Sequence, residues 1–411
     1  MPHNPSCYTL WLGSIIAVDR PERVYHKVRS NDFDKTDAGH LVKTPQGYLA
    51  FVPAPLEPEL TFEKGLVRLL SEADRALSEL AGIARTLPNP HLLIGPFVAR
   101  EAVLSSRIEG TQASYSDLLY FEAANLRERE VSDVREVSNY VHALEFGLAR
   151  LNELPLSLRL IREMHARLLE DVRGEHLTPG EFRRSQNWIG PRGCSLEDAT
   201  YVPPPISEMH ACLADLETYL HKQTDLPPLV RLALVHYQFE AIHPFSDGNG
   251  RIGRLLITLM LCEERLLPQP LLYLSAFFER NREEYYRRLL AVSKESEWGG
   301  WLAFFLRAVA SQAKDAVLRS DRLLQLRQNY REQLQSTRAS ALLLQIVDDL
   351  FVKPAISNPG ISRALEITPR AAQLNIDKLV AAGVLKEATG KRRNRVYVAP
   401  EIVAALESPE G

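Results

Sequence analysis

The stretch HPFSDGNGRIGR, His243 to Arg254, brings an imidazole, a carboxylate, a Gly-Asn-Gly turn and two guanidiniums into one short segment. On either side lie PPLVRLALVHYQFEAI (227–242) and GRIGRLLITLMLCEERL (250–266), in which apolar residues occupy nearly the whole helical circumference. Helices of that kind are buried by neighbours on several sides, so the polar segment is expected where two central helices meet. Helical periodicity also runs from TFEKGLVRLLSEADRALSELAGIART onward, with short Pro- or Gly-containing breaks, to about residue 312. The main body is therefore expected to be α-helical.

The backbone N–H groups of Gly248, Asn249 and Gly250, at the start of an apolar helix, are free donors at a positive dipole end, and two of these residues have no Cβ to keep a phosphate away. Arg251 and Arg254 are three apart, on one face of the first turn, within reach of the same anion. The macrodipole disfavours cations at this end of a helix, so two of them imply a bound polyanion. Asp247, beside that anion, would be repelled unless a cation joined them, and Mg²⁺ commonly bridges one carboxylate to phosphate oxygens. His243, with a reference pKa of about 6.5, suits the removal of a proton from a hydroxyl near neutral pH. Together these groups fit phosphoryl or nucleotidyl transfer to a hydroxyl. Phe245 reads as an anchor that holds the loop in the core.

The 411 residues are 45% hydrophobic, which suffices for two or three domains with cores. With 49 basic and 52 acidic residues and a pI near 6.4, the chain lacks the overall positive field of a nucleic-acid coat, so any DNA contact must be local. Cys7, Cys194, Cys212 and Cys262 form no CxxC pair and read as reduced thiols in a cytoplasmic protein. CYTLWLGSIIAV (7–18) has no preceding Lys or Arg and no following A-x-A site, so it reads as no export signal. No run approaches the roughly 18 apolar residues of a membrane span.

Residues 1–60 read as an extension of strands and turns wrapping the body, and 61–312 as the helical body itself. Within it, LTPGEF (177–182) suggests a helix start, with Thr178 as N-cap, Pro179 at N1 and Glu181 closing a capping box. GPRGCSLEDATYVPPP (190–205) suggests a surface hairpin around Ala199, Thr200, Tyr201 and Val202. A charged linker helix is expected over 313–335, with Leu323, Leu326, Tyr330 and Leu334 facing one side. From 336 to 411 three helical patterns precede a hairpin with a basic turn, the order of a winged helix-turn-helix. Thr368 and Pro369 supply N-cap and N1 for its third helix.

HPFSDGNGRIGR matches, at every fixed position, the signature H-x-F-x-[DE]-G-N-G-R-x-x-R, and the chain thereby resembles the Fic (filamentation-induced-by-cAMP) domain family. GEFRRSQNWIG, ATYVPPP and NREEYYRRLLAV resemble further family segments, so the likeness extends over roughly residues 60 to 310. The resemblance implies an all-helical core with a small β-hairpin flap, which uses Mg·ATP to transfer AMP to a Ser, Thr or Tyr hydroxyl of a protein and releases pyrophosphate. His243 would be the base, Asp247 the Mg²⁺ ligand, Gly248, Asn249, Gly250 and Arg251 the phosphate nest, and Arg254 the γ-phosphate contact. Tyr286 resembles a nucleotide-side aromatic. Ala199 to Val202 resemble the flap that docks the target chain by strand addition.

SSRIEG, Ser105 to Gly110, resembles the family's inhibitory motif [ST]-x-x-x-E-[GN], here ahead of the core on a helix expected at about 98–113. Glu109 would pair with Arg254 and take the cation that the γ-phosphate needs. Phosphotransferring relatives lack the intact GNGRxxR end that this chain keeps. Removal of AMP from a modified protein stays open. So does a nucleotide-sensing transcription regulator, with Arg370, Gln373 and Asn375 contacting bases and KRRNR (391–395) gripping phosphate. Self-modification, a homodimer and a protein partner at the winged helix also stay open.

Overall fold

The computed structural model describes residues 33, 36–86, 91–124, 132–172, 178–191, 193–336, 340–390 and 393–408. The stretch 7–18, with Cys7, lies outside the described residues, as do Lys391 and Arg392 of the basic turn. The architecture is mainly α-helical. A hairpin of Gly39–Lys43 (β1) and Leu49–Pro53 (β2) comes first, followed by helices Lys64–Thr86 (α1), His91–Ile108 (α2), Tyr115–Ala124 (α3), Ser132–Arg150 (α4), Leu158–Leu168 (α5) and Ile206–His221 (α6). The central pair, Pro228–Ile242 (α7) and Asn249–Glu263 (α8), flanks the polar segment. Ser275–Arg280 (α9), Arg282–Glu295 (α10) and Trp298–Ser336 (α11) complete the body.

Pro228 at N1 pre-sets the first turn of α7, and every residue from Leu229 to Phe239 except Arg231 is buried. Arg251 to Leu261 of α8 are likewise all buried. The polar atoms inside this layer are paired. His236 donates through Nδ1 to the Gly253 carbonyl (3.1 Å) and accepts at Nε2 from the Tyr285 hydroxyl (2.7 Å), tying α7, α8 and α10 together. Trp301 donates to the Ala233 carbonyl across 2.9 Å. β2 sits against α6 and α7: Gln238 of α7 donates to Ala54 O just past β2, and Phe51 N–H of β2 donates to Val202 O, both at 2.9 Å.

Four expectations are corrected. LTPGEF starts no helix: Thr178 adopts a left-handed φ of 54° and its carbonyl accepts from Glu181 N–H, so the segment is a turn. The segment around Ala199 to Val202 is no surface hairpin. A single bridge pairs Ile189 with Tyr201, and Ala199, Tyr201 and Val202 are buried. The helix carrying SSRIEG begins at His91 and stops at Ile108, where Gly110 with φ 99° reverses the chain. The linker helix expected over 313–335 is the distal half of the 39-residue α11, with Leu323, Tyr330 and Leu334 buried; α11 also packs along α1.

The last part comprises Ala341–Val352 (α12), Ala355–Ser357 (β3), Asn358–Ala364 (α13), Pro369–Ala381 (α14), Lys386–Glu387 (β4), Val396–Val398 (β5) and Pro400–Glu407 (α15), with antiparallel strands in the order β3-β5-β4. Thr368 caps α14, its hydroxyl accepting from Ala371 N–H. This part packs on the body. A Cβ on Gly95 of α2 would meet the Val352 carbonyl at 2.7 Å, and buried Arg319 of α11 donates to Ala405 O, Leu406 O and Ser408 O at the end of α15. Two of the three base-contacting candidates are engaged within the chain: Asn375 is buried and donates to Ala371 O, and the half-buried Gln373 is bonded to Asn358, Asp377 and Tyr397. Arg370 is exposed, beside an exposed Leu374.

Candidate active site

His243 is the residue after α7, in the left-handed conformation (φ 49°, ψ 59°), which turns the chain sharply from one central helix toward the other. Two side chains grip that turn. Arg183, 1% exposed, donates from Nε to the His243 carbonyl (3.0 Å), from Nη1 to Ser185 O and from Nη2 to Pro204 O. Asn187 donates to the carbonyls of His243 (3.3 Å) and Phe245 (2.9 Å). Phe245 is fully buried and stacks on His165, with ring centroids 3.7 Å apart and planes 6° from parallel.

His165 fixes the next residues. Gly180 N–H donates to its Nδ1 (2.9 Å), so the proton is on Nε2, which donates to the Asp247 carbonyl at 3.0 Å. Burial pushes its pKa down to about 4, so the ring is neutral. Asn249 spends its amide on the loop rather than on a ligand: Oδ1 accepts from Phe245 N–H (2.8 Å) and Nδ2 donates to Phe245 O (2.7 Å).

Gly248, with φ 79°, is the N-cap of α8, and its N–H is taken by Asp247 Oδ1 at 2.6 Å. The first intrahelical bond is Ile252 N–H to Gly248 O. The helix therefore supplies no acceptor for the N–H groups of Asn249, Gly250 and Arg251. Arg251 does not share an anion face with Arg254. It is buried, with Nη1 3.4 Å from Glu136 on α4 and Nη2 3.4 Å from Asp247. The half-exposed Asp247 stands beside the open N–H groups, and the described residues hold no cluster of three or more metal-ligating side chains. A Mg²⁺ ion would thus be held by Asp247 together with phosphate oxygens, a fit with its habit of taking one or two carboxylates and a nucleotide.

At the other end, Arg254 is buried and held by α2. Nε donates to Ser105 Oγ (2.8 Å), and Nη2 donates to Ser105 O (3.1 Å) and to Glu109 Oε1 (2.6 Å). Desolvation is the largest single influence and opposes its charge, but Glu109, Tyr285 and Glu240 together outweigh it and raise the pKa. The Glu109 carboxylate also covers the helix start, since a Cβ on Gly250 would come within 2.3 Å of its Oε1. An acidic oxygen thus lies over the open N-terminus of α8.

These groups border a cleft of about 1510 Å³, lined by Glu109, His243, Gly250 and Arg254 on one side and by Trp188, Thr200 and Tyr286 on others. Tyr286 is 40% exposed, with the Arg282 guanidinium 5.8 Å from its ring centre. Thr200 lines the cleft, while the Tyr201 hydroxyl is committed to Ala241 O (2.9 Å). Burial, reinforced by Arg183, pushes the pKa of His243 down to about 4, so it is a neutral imidazole at pH 7. Burial likewise holds the Glu240 carboxyl up to about 7 beside Arg254, and its Oε1 has no hydrogen-bond partner.

Residues 67–149 match the Fic/DOC family N-terminal model and residues 155–261 the Fic/DOC family model. Over these residues the chain carries the N-terminal and Fic domains of the Fic/DOC family. The protein adenylyltransferase Fic of Drosophila virilis is 32% identical over 136 residues, which cover 32% of this chain and 26% of that relative. The Aedes aegypti protein of the same name is 38% identical over 108 residues, covering 26% of this chain and 19% of its own. The matches thus span about a quarter or less of these curated relatives. Among solved structures, a Fic family protein from Desulfovibrio desulfuricans G20 shares the fold, with a TM-score of 0.51, 20% identity, and coverage of 84% of this chain and 98% of its own.

Some members of this Fic site did not stand out in the sequence. Arg183 and Asn187 lie in GEFRRSQNWIG, which carried a signal as a family-like segment but gave them no role. His165 and Glu136 lie on amphipathic helices, where one His or Glu looks like any other.

Proposed function

We propose that the protein is an adenylyltransferase that transfers AMP from Mg·ATP to a Ser, Thr or Tyr hydroxyl of a protein, and that Glu109 holds it in an inhibited state. The observation that carries this reading is the Glu109 carboxylate lying over Gly250 and on Arg254, where an anion belongs, in the same cleft as a neutral His243. The open N–H groups at the start of α8 bind phosphate, and Arg254 takes the γ-phosphate once Glu109 withdraws. His243 accepts the proton of the target hydroxyl as its oxygen bonds to the α-phosphorus. The bond from that phosphorus to the bridging oxygen breaks, and pyrophosphate leaves. Mg²⁺, bound by Asp247, would supply positive charge against the phosphate oxygens. Thr200 lines the cleft on the side where a target chain would enter, and Tyr286 offers a ring to the nucleotide. Removal of AMP from a modified protein is a second reading, favoured by Glu109 lining the same cleft as His243, where it would orient water.

The test is label transfer from α-labelled ATP into the chain itself and into host lysate proteins. A hydrogen-bonded charge pair contributes about 1.5–3 kcal/mol, so Glu109→Gly should raise labelling roughly 10- to 100-fold. Equal labelling of wild type and variant would remove Glu109 from control of the site. Absence of label from both, with release of AMP from a pre-labelled target, would favour the second reading.

A further inference from the structure

The part of the chain from α12 to α15 touches the body selectively. Its main contacts fall on three elements: α12 packs on α2 and α11, α15 on α11 and α2, and the strands β3 and β5 on α3. The helices that carry the cleft, α7, α8 and α10, are not among them. α2 ends at Ile108 and α3 begins at Tyr115, so Glu109 lies in the short turn between two of the three touched elements.

Three contacts hold that segment from outside. On α2, Gly95 lies so close to the end of α12 that a Cβ there would meet the Val352 carbonyl at 2.7 Å and the Val352 Cγ1 at 3.4 Å. Further along α2, Arg100 lies 3.6 Å from Asp315 of α11. Asp315 also pairs with Arg319 at 2.7 Å, and Arg319 donates to the carbonyls of Ala405, Leu406 and Ser408, where the last turn of α15 leaves acceptors without helical partners. On the far side of the turn, Glu122 of α3 stands 3.7 Å from Lys353, the residue after α12. α2 is weak where α12 meets it. Pro96 has no N–H to give the Leu92 carbonyl, and Gly95 before it adds no side chain to stiffen the backbone.

We propose that the part from α12 to α15 is an intramolecular clamp on the active site: it holds α2 and α3 against the body, keeps Glu109 on Arg254, and frees the site when it shifts away from α2. This rests on the reading of Glu109 as the inhibitor. Clamp and core act on one equilibrium, between Glu109 seated and Glu109 withdrawn. Loss of the clamp's contacts raises the withdrawn fraction by the free energy that those contacts supply to the seated state alone. The chemistry itself is untouched, because no residue that lines the cleft belongs to the clamp.

The experiment is label transfer from α-labelled ATP by the full chain. Gly95→Val drives a branched side chain into the end of α12 and should raise labelling about three- to tenfold over wild type. In the Glu109→Gly background the same substitution should change labelling less than about twofold, because no seated carboxylate is left to release. Gly95→Ala sets a smaller Cβ against the same carbonyl while favouring the helix, and should move labelling in the same direction, which settles the matter if the valine variant fails to fold. Labelling of both variants at the wild-type level, with Glu109→Gly raised, overturns the clamp alone. An equal change from Gly95→Val with Glu109 present and absent does the same, since it marks an effect on the body as a whole. A Glu109→Gly chain that labels no more than wild type overturns the reading of Glu109, and the clamp with it.

Discussion

The two ends of the His243–Arg254 segment are built on opposite principles. At the loop end, fixed partners surround the backbone: Arg183 and Asn187 hold the carbonyl of His243, His165 holds that of Asp247, and Asn249 closes the turn on Phe245. Nothing there needs to leave for a ligand to bind. At the Arg254 end, a buried cation is matched by a carboxylate whose side chain is 35% exposed and that sits just past a helix terminus. Breaking a buried pair by removing one partner costs about 3–5 kcal/mol, because the other charge is stranded. Glu109 is therefore expected to leave only as another anion arrives, and on the proposed reading the nucleotide and the carboxylate compete directly. One end is permanent and the other exchangeable, within a single turn of chain and the start of one helix.

Three further experiments probe that contrast. The largest effect is expected at the chemical centre. In the Glu109→Gly background, His243→Ala should cut the initial rate of AMP transfer by about 10²- to 10⁴-fold while Mg·ATP affinity stays within twofold, if His243 moves a proton, as proposed, rather than binding the nucleotide. A retained rate would move the base elsewhere. Next, Arg183→Lys should lower the stability of the loop end by about 2–4 kcal/mol in urea denaturation, because an ammonium cannot replace a buried fork that serves three carbonyls. A loss below about 0.5 kcal/mol, within the range of ordinary surface substitutions, would mean that the turn is held by other means.

The smallest effect concerns His165 and pH. Its folded pKa of about 4 lies below the ordinary value, so the neutral ring belongs to the folded state. Its contribution is fully present above the unfolded pKa of about 6.5 and is lost as pH falls toward 4. His165→Gln should therefore be less stable than wild type at pH 7, with a gap that narrows by about 2 kcal/mol at pH 5. Equal gaps at the two pH values would show that the ring is not held neutral, and the loop end would then be less permanent than its hydrogen bonds suggest.

Local sequence was informative where function sits on contiguous residues. HPFSDGNGRIGR announced the turn and the helix start, and the all-round apolar flanks announced that both helices are central. SSRIEG was legible as a motif, yet the path from Glu109 to Arg254 crosses 145 residues of chain. Where the signal was a turn signature alone it misled. Thr178-Pro179 looks like a helix start, but Gly180 is tied down by His165 and the chain turns instead. Ala199 to Val202 looked like an exposed hairpin because the sequence does not show that β2 and α7 cover it.

What the sequence determined by itself is the helical class of the body, the helix start that follows the Gly-Asn-Gly turn and the residue types available for chemistry, because these follow from short-range periodicity, dihedral preference and charge. What only the tertiary structure decided is which charges meet. Arg251 and Arg254 are three residues apart and chemically alike, but packing turns one toward Glu136 and Asp247 and the other toward Ser105 and Glu109. Helical spacing set their angular separation, and the helices that close around them set their partners. Electrostatics in a buried site depends on those partners.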